Sequence, residues 1–413
     1  MKVAHLFWGL GFGGIETMLV NIANEQCIAG AEVYVMIINK CYEQSLIAAL
    51  NPKVHLILIN RKMKSYSPCF IYRINKELDH IKPDVIHLHR SELKRYVWNK
   101  RLSREAFITL HALPTGSVRR CGLLRQLLHK IMRQPQVYSN VIDMDNIKHV
   151  YAISNLVKQE LQEKYGIESK VICNGILTKR FKQRTAQKMC KPLRIVMVSR
   201  LEHDKKGQDL LIQVASELRG QVMVDFIGVG SSMELLQKMS RELQMENYIH
   251  FLGKKTQDYV AEHLADYDLF VQPSRWEGFG LTVAEAMAAN VPVLVSEGQG
   301  PAEVTCGNLY GWLFKNGDAT DLANQLSYIA SHYEEAMIKA EKAMSYVQNT
   351  YDVSVTAQKY LQQYEIIKMN NNVKHQLGGV NSIYIEGRVL VLSSALNTLN
   401  PYEASIRFGS YAA

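Results

Sequence analysis

The sequence predicts an α/β protein with two doubly wound, parallel-sheet domains. Short apolar runs alternate with segments of helical spacing along most of the 413 residues, a pattern typical of parallel sheets. A polar, basic stretch without clear periodicity, residues 179–191, separates two such series and suits a linker. The length also favours two domains over one.

The predicted strands fall into two series, one on each side of that stretch. The first series is Val3–Phe7, Val33–Ile38, Val54–Ile59, Val85–Leu88, Phe107–Leu110 and Val150–Ile153. The second series is Ile195–Val198, Val224–Ile227, Ile249–Leu252, Leu269–Gln272 and Val293–Val295. Segments of helical spacing connect them, for instance Ile15–Glu25 and Ile71–His80.

The pattern changes again towards the C-terminus. Residues 320–368 have the spacing of three helices with a break at Tyr351 and Asp352, and three asparagines open the segment that follows. The expected units are, in order, an N-terminal domain (1–178), a linker (179–192), a second domain (193–350), a helix that crosses back to the N-terminal domain (351–368) and a weakly packed tail (369–413).

The charge of the chain is unevenly distributed. The net charge of +9 combines +15 in residues 1–190 with −6 in the remainder, and the basic excess peaks between Arg90 and Arg133. There, residues 119–133 mix leucines with cations at helical spacing, which predicts an amphipathic helix on an anionic membrane surface. A solvated cationic helix that packs its leucines on the core is the alternative. Nucleic acid is not an expected partner, because no nucleic-acid-binding motif accompanies the basic residues.

The compartment follows from three features of the sequence. No apolar run approaches 18 residues, so no membrane span is expected. The apolar start, Met1–Trp8, is too short for the hydrophobic core of a signal sequence. Seven scattered cysteines without a C-x-x-C pair fit a reducing cytoplasm and argue against a zinc site or a disulfide framework. We therefore expect a cytoplasmic protein, peripheral on the inner face of the cell membrane.

Two glutamates eight residues apart are the most informative feature of the chain. Glu277 and Glu285 follow the predicted strand Leu269–Gln272, with a glycine-rich turn and the start of a helix between them. Ligands of open α/β sheets bind at this end of the strands, and a helix N-terminus favours phosphate. Two carboxylates beside an anion site suit a ligand with many hydroxyls and a diphosphate, such as a nucleotide sugar.

Glycines after the first strand predict a second phosphate contact. Residues 9–14 satisfy G-x-G-x-x-G, the dinucleotide pattern. That pattern also requires an acidic residue after the second strand, where this chain has Asn39 and Lys40. We therefore interpret the glycines as a loop whose backbone approaches a diphosphate held by the other domain. A plain tight turn is the alternative.

Cations follow the first strand of the second domain. Arg200 and Lys206 can both contact one diphosphate and neutralise the charge that it gains when a bond to it breaks. Lys205 could take the place of Lys206, and a solvated pair of loop charges is the alternative.

Histidines end two strands of the first domain. His111 follows Phe107–Leu110 and is the candidate for contact with a sugar hydroxyl or a reacting oxygen. A structural role is favoured for His87 and His89. Two D-x-D pairs, residues 143–145 and 266–268, match a metal–nucleotide pattern, but we expect no metal at either.

With these motifs, the chain resembles glycosyltransferase family 4, retaining enzymes of the GT-B fold, over about residues 1–365. The segment Glu277–Glu285 carries most of the resemblance. The other matching motifs are Gly13–Glu16, Ser154 in residues 152–155, Asn174 with Gly175, Ser199 and Arg200 with Lys206 and Gly207, and Gly300–Glu303.

The resemblance implies a role for each matching residue. Glu277 would hold donor-sugar hydroxyls and Glu285 the ribose, while Arg200 and Lys206 would hold the diphosphate. His111 would lie near the anomeric centre. The remaining donor-binding candidates are Gly13, Gly14, Gly230, Lys254 beside the base, and Phe279, Gly280 and Leu281 with their backbone amides. Cys173 and Val229 depart from the family pattern, which usually has proline at the first position and commonly an acidic residue at the second.

The expected activity is sugar transfer, without a metal or cofactor, from a nucleotide diphosphate sugar to a hydroxyl acceptor. A UDP-sugar is the expected donor, and a glycan, lipopolysaccharide or lipid-linked acceptor follows from the basic first domain. The alternatives are a nucleotide-sugar epimerase or hydrolase of the same shape and a non-catalytic, membrane-docked scaffold. A nicotinamide oxidoreductase is disfavoured by Asn39 and Lys40.

Overall fold

The computed structural model describes residues 1–11, 13–63, 65, 67–111, 148–185, 188–376, 381–385 and 388–392. The predicted membrane helix at residues 119–133 and the first D-x-D pair, residues 143–145, lie outside these ranges. No helix in the described ranges is long and apolar enough to cross a bilayer.

The first domain is built on one parallel sheet, with strands in the order β3-β2-β1-β4-β5-β6-β7. The strands are β1 (Lys2–Phe7), β2 (Glu32–Asn39), β3 (His55–Arg61), β4 (Val85–Leu88), β5 (Phe107–Leu110), β6 (His149–Ala152) and β7 (Lys170–Val171). The helices described here are α1 (Gly14–Ile28), α2 (Gln44–Ala48), α3 (Cys69–Ile81), α4 (Lys100–Arg104) and α5 (Asn155–Tyr165). All six predicted strands are present within two residues. β7 was not predicted, because two residues are too short to form a pattern.

Both faces of this sheet are buried. Alternate residues of β1 enter two separate cores: Val3 and Phe7 pack with residues of α1, and Ala4 and Leu6 pack with residues of α3. Burial on both faces explains why the strands are continuous apolar runs in the sequence.

The second domain repeats the arrangement, with strands in the order β10-β9-β8-β11-β12-β13. The strands are β8 (Leu193–Val198), β9 (Val222–Ile227), β10 (Ile249–Gly253), β11 (Leu269–Gln272), β12 (Val293–Ser296) and β13 (Trp312–Phe314). The helices between them are α6 (His203–Lys206), α7 (Gln208–Glu217), α8 (Met233–Glu242), α9 (Gln257–His263), α10 (Leu281–Ala288) and α11 (Gly300–Val304). The five predicted strands are again found, and the short β13 was not predicted. The exact domain boundaries stay a prediction.

Three helices follow: α12 (Ala319–Ser331), α13 (Tyr333–Thr350) and α14 (Val353–Gln376). The break between α13 and α14 falls at the predicted residues, Tyr351 and Asp352. α14 packs along α1, and Tyr360 and Tyr364 are buried in the core of the first domain. The predicted end of this helix at residue 368 was wrong. Asparagine lowers helix propensity only modestly, so three of them do not end a helix that lacks proline and glycine.

Two strands, β14 (Asn381–Ile385) and β15 (Arg388–Leu392), pair in antiparallel fashion after α14.

The polar stretch after β7 is docked on the second domain. Arg184 is almost fully buried; its guanidinium lies 2.6 Å from the carboxylate of Asp268 and donates to the carbonyl oxygens of Ala265 and Tyr267. A buried cation with a carboxylate and two carbonyls as partners is stable away from water. Asp268, in the second D-x-D pair, is thus engaged in a structural ion pair.

Candidate active site

The loop between β11 and α10 holds the two predicted glutamates. β11 is buried throughout, and Gly280, with a φ of 99°, turns the chain into α10. Glu277 precedes this turn, and Glu285 lies about one turn into the helix. No side chain of the described residues caps α10, so its first amides are available to an anionic ligand.

Lys206 and Glu277 form an ion pair at the end of β11. Their side chains are only 15% and 20% exposed. The same carboxylate accepts a hydrogen bond of 3.0 Å from the side chain of Gln272, and the backbone amide of Glu277 donates to Gln299 at 3.0 Å. The carboxylate is therefore held in one orientation.

Lys205 and Lys206 lie in different surroundings. The ammonium of Lys205 is 3.6 Å from the carboxylate of Glu202 and 5.6 Å from the ring centroid of Trp276. Of the two lysines, only Lys206 contacts Glu277.

Arg200 lies in the loop after β8 of the second domain. Its side chain is 73% exposed, and its guanidinium lies 3.2 Å from the carboxylate of Glu202. On the opposite side, burial raises the pKa of Glu16; the Glu16 backbone amide and the charges of Arg90 and Arg200 oppose this rise. Because Glu16 belongs to the first domain, the charge of Arg200 acts across the gap between the domains.

Gly14 lies close to the second domain. Gly14 is the first residue of α1, and a Cβ atom added there would lie 3.0 Å from the Cδ1 atom of Leu281 in the second domain. A cavity at this point is lined by residues of both domains, including Gly14, Thr17, Leu281 and Glu285. Gly13 precedes the helix, and a Cβ atom there would lie 2.4 Å from the carboxylate of Glu16.

Glu285 reaches this cavity without a hydrogen-bond partner among the described residues. Burial raises its pKa to about 7, and the positive charge of Arg180 opposes the rise. A half-buried carboxyl group that lacks a protein partner can bind ligand hydroxyls as acceptor or, when protonated, as donor.

His111 follows β5 and contacts His89, with 3.0 Å between Nε2 of His111 and Nδ1 of His89. Burial lowers the pKa of His111 to about 3, helped by the charge of Arg90. The nearby Asn174 side chain opposes this shift in part, and its Oδ1 atom, like Nδ1 of His111, is buried without a hydrogen-bond partner among the described residues. The imidazole is therefore neutral, and its Nδ1 atom has no hydrogen bond within the described structure.

Two other residues that were predicted to bind the donor, Phe279 and Gly230, have a role in packing. The Phe279 side chain is buried and packs edge-on against Tyr351, so only its backbone can meet a ligand. A Cβ atom at Gly230 would lie 2.3 Å from the carbonyl oxygen of Leu201, so the loop requires glycine there for packing alone.

Further contacts cross between the domains around this site. The ammonium of Lys254 lies 3.7 Å from the carboxylate of Glu43 in the first domain. The hydroxyl of Ser154, also in the first domain, donates to the carbonyl of Gly278 at 2.7 Å. The hydrogen bond from Ser154 therefore holds the loop that carries Glu277 against the first domain.

Gln272 and Gln299, which orient Glu277, were not recognised in the sequence. Gln272 carried a signal, because it is a polar residue at the end of an otherwise apolar strand. No pattern distinguishes Gln299, whose contact depends on the packing of α11 beside the loop.

Two family models match the chain and together cover residues 12–350. The model described as Glycosyltransferase Family 4 matches residues 12–180, and the model described as Glycosyl transferases group 1 matches residues 179–350. The chain is a glycosyltransferase of family 4.

Two bacterial glycosyltransferases are among the relatives of the chain. It is 32% identical over 158 residues to the amylovoran biosynthesis glycosyltransferase AmsK of Erwinia amylovora, over 36% of this chain and 39% of AmsK. It is 29% identical over 182 residues to the N,N'-diacetylbacillosaminyl-diphospho-undecaprenol alpha-1,3-N-acetylgalactosaminyltransferase of Campylobacter jejuni, over 44% of this chain and 46% of that protein. The matched parts span less than half the length of these relatives.

Solved structures confirm the GT-B fold. The glycosyltransferase is similar to Anabaena HepE, solved in complex with UDP and glucose, with a TM-score of 0.70 at 18% identity, over 88% of this chain and 99% of that chain.

Proposed function

We propose that this glycosyltransferase moves a sugar from a UDP-sugar to a hydroxyl of a lipid-linked or lipopolysaccharide acceptor, with retention of the anomeric configuration. The observation that carries the proposal is the arrangement around the interdomain cavity. Lys206 and Glu277 are paired at the end of β11, Glu285 lines the cavity, and the charge of Arg200, from the same domain, acts on Glu16 of the first domain.

The cations would stabilise the leaving diphosphate. As the bond from the anomeric carbon to the diphosphate oxygen breaks, negative charge grows on the phosphate oxygens. Arg200, Lys206 and the free amides at the start of α10 would neutralise that charge. The acceptor oxygen would form its bond on the same face of the sugar, and its proton would pass to a phosphate oxygen of the leaving group.

The carboxylates would bind hydroxyls. Glu277 is held by Lys206 and two glutamines, so its remaining lone pairs can accept hydrogen bonds from donor-sugar hydroxyls. Glu285 lacks a protein partner and would bind the ribose. Neither residue needs to act as a nucleophile in this path.

The first domain would dock on an anionic membrane at the inner, cytoplasmic face. The rings of Tyr72 and Trp98 are 6.4 Å apart and are 60% and 50% exposed. They lie on the domain that carries the basic excess, and exposed aromatic residues beside cations suit the membrane interface. HepE binds UDP, and the Campylobacter relative is named for an undecaprenyl-linked acceptor; both support the proposed donor and acceptor.

A donor screen tests the activity. The protein is incubated with UDP-, GDP- and ADP-sugars, with and without a lipid-linked acceptor, and nucleotide release is measured. We expect release of UDP that depends on the acceptor. Acceptor-independent release of free sugar would instead favour a hydrolase or epimerase, and no nucleotide binding at all would favour the scaffold.

Vesicle co-sedimentation tests the membrane contact. Replacement of Tyr72 and Trp98 by alanine should weaken binding to anionic vesicles, whereas Leu309→Ala, an exposed apolar position of the second domain, should not. Equal binding of both variants would contradict docking through the aromatic pair.

A further inference from the structure

Four histidines and one glutamine form a connected network beside the candidate site. The first link joins Nε2 of His5 to Oε1 of Gln26 at 2.7 Å. Nδ1 of His5 lies 3.0 Å from Nε2 of His89, and Nδ1 of His89 lies 3.0 Å from Nε2 of His111. The fourth histidine, His87, stacks on His89 with 4.2 Å between ring centroids.

This network is not a metal site. His5, His87 and His89 have ligand atoms within 4.8 Å of one another, as a metal site requires. However, all six of their ring nitrogens already have hydrogen-bond partners. The three rings are also fully buried, so a metal would have to break several of these bonds to enter.

Burial keeps the rings neutral. It lowers the pKa of His5 to about 4 and of His111 to about 3, and it lowers the pKa of His89 well below its usual range. Each neutral imidazole has one N–H group and one acceptor nitrogen. In a chain of such rings, the direction of one hydrogen bond therefore sets the direction of all the others.

Tyr364 determines the direction of the hydrogen bond between Gln26 and His5. Its hydroxyl oxygen lies 2.6 Å from Nδ1 of His87 and 3.4 Å from Nε2 of Gln26. The short distance fits an O–H donor, so the single hydroxyl proton points to His87. Nε2 of His87 then donates to Thr109 at 2.8 Å. Tyr364 can only accept from Gln26, which leaves the amide oxygen of Gln26 to accept from His5.

We propose that Gln26 sets the tautomer of His111 through His5 and His89, so that His111 carries its proton on Nε2 and presents an unprotonated Nδ1 atom. His5 donates to Gln26, His89 donates to His5, and His111 donates to His89. Nδ1 of His111 is buried, lies near Asn174 and has no partner among the described residues.

In the proposed function, the free Nδ1 atom would bind a hydroxyl of the donor sugar. Gly175, the neighbour of Asn174, lines the interdomain cavity. An acceptor nitrogen there receives a hydrogen bond from a sugar hydroxyl, whereas the other tautomer would place an N–H group against that hydroxyl. Gln26, His5 and His89 are thus positioning residues that act through His111. This consequence for sugar binding depends on the proposed function, but the tautomer itself does not.

The tautomer can be measured without substrate. In protein labelled with ¹⁵N-histidine, NMR distinguishes protonated from unprotonated ring nitrogens, and single His→Asn variants assign the signals. We expect His111 with Nε2–H in the native protein. A His111 with Nδ1–H would overturn the proposal, and it would do so even if the transferase activity were established.

Two substitutions of Gln26 distinguish an effect transmitted through the hydrogen bonds of the histidines from an effect on packing. Gln26→Met removes the acceptor at similar volume and should give a mixture of His111 tautomers. Gln26→Glu keeps an acceptor and should preserve the native tautomer. Thr109→Ser, which keeps a hydroxyl acceptor for Nε2 of His87, is the matched control and should also preserve it. An unchanged tautomer in Gln26→Met would overturn the proposal.

Activity gives an independent readout. In the donor and acceptor assay, Gln26→Met should lower kcat/KM about tenfold, the effect expected for the loss of one hydrogen bond. In a His111→Ala background the same substitution should cause no further loss, because Gln26 acts through His111. Additive losses in the double variant would show that Gln26 acts by another route.

Discussion

The carboxylate of Glu303, in the second domain, accepts hydrogen bonds from the backbone amide of Asn155, in the first domain, at 2.8 and 2.9 Å. Asn155 begins α5, so a negative charge from one domain lies at the positive end of a helix in the other.

This contact should stabilise the domain arrangement. We expect Glu303→Ala to lower the free energy of unfolding by about 1–2 kcal/mol, because charged hydrogen bonds at a helix N-terminus are lost. Glu303→Gln, which keeps an acceptor oxygen, should lose less. Chemical denaturation of the three proteins checks this order, and equal stability of all three would contradict it.

Arg200 should matter for turnover and little for folding. Arg200→Ala should lower kcat by about 10²–10³, the usual effect of removing one group that stabilises developing negative charge. The exposed Lys205 is the matched control, since it is close in sequence and pairs with the same Glu202. Lys205→Ala with an equal loss, or Arg200→Ala with native turnover, would refute the assignment.

The close approach of Gly14 to Leu281 should control donor binding. Gly14→Val would place a branched side chain against Leu281 and keep the domains apart, so the KM for the donor should rise while the fold is retained. Leu281→Ala in the same protein should partly restore the KM. Isothermal titration with UDP gives a second measurement, and native affinity in Gly14→Val would show that the contact is not needed.

Glu285 should make stability depend on pH. Its folded pKa of about 7 lies above the value near 4.5 expected for the unfolded chain. Between these values the folded protein holds a proton that the unfolded chain has lost. The contribution of Glu285 to the free energy of unfolding therefore falls as pH rises from about 4.5 to 7. Unfolding of the native protein and of Glu285→Gln over this range should show a flatter profile in the variant, and parallel profiles would contradict the raised pKa.

The sequence predicted the sheets because their strands are buried on both faces and so appear as continuous apolar runs. It could not predict contacts between distant residues. Arg184 was assigned to a linker, and Asp268 to a D-x-D pair. Only folding brings the two residues together. Similarly, the sequence indicated that Lys206 and Glu277 share a site, but not that they pair with each other. His5 was not singled out at all, since a histidine within a strand carries no signal until its neighbours on other strands are known.

The packing of α14 has a consequence for synthesis. Tyr360 and Tyr364 complete the core of the first domain, yet about 190 residues separate them from β7. At 5–20 residues per second, a ribosome needs roughly 10–40 s to make that stretch. Throughout that interval the nascent first domain lacks the helix that covers this apolar face in the finished protein.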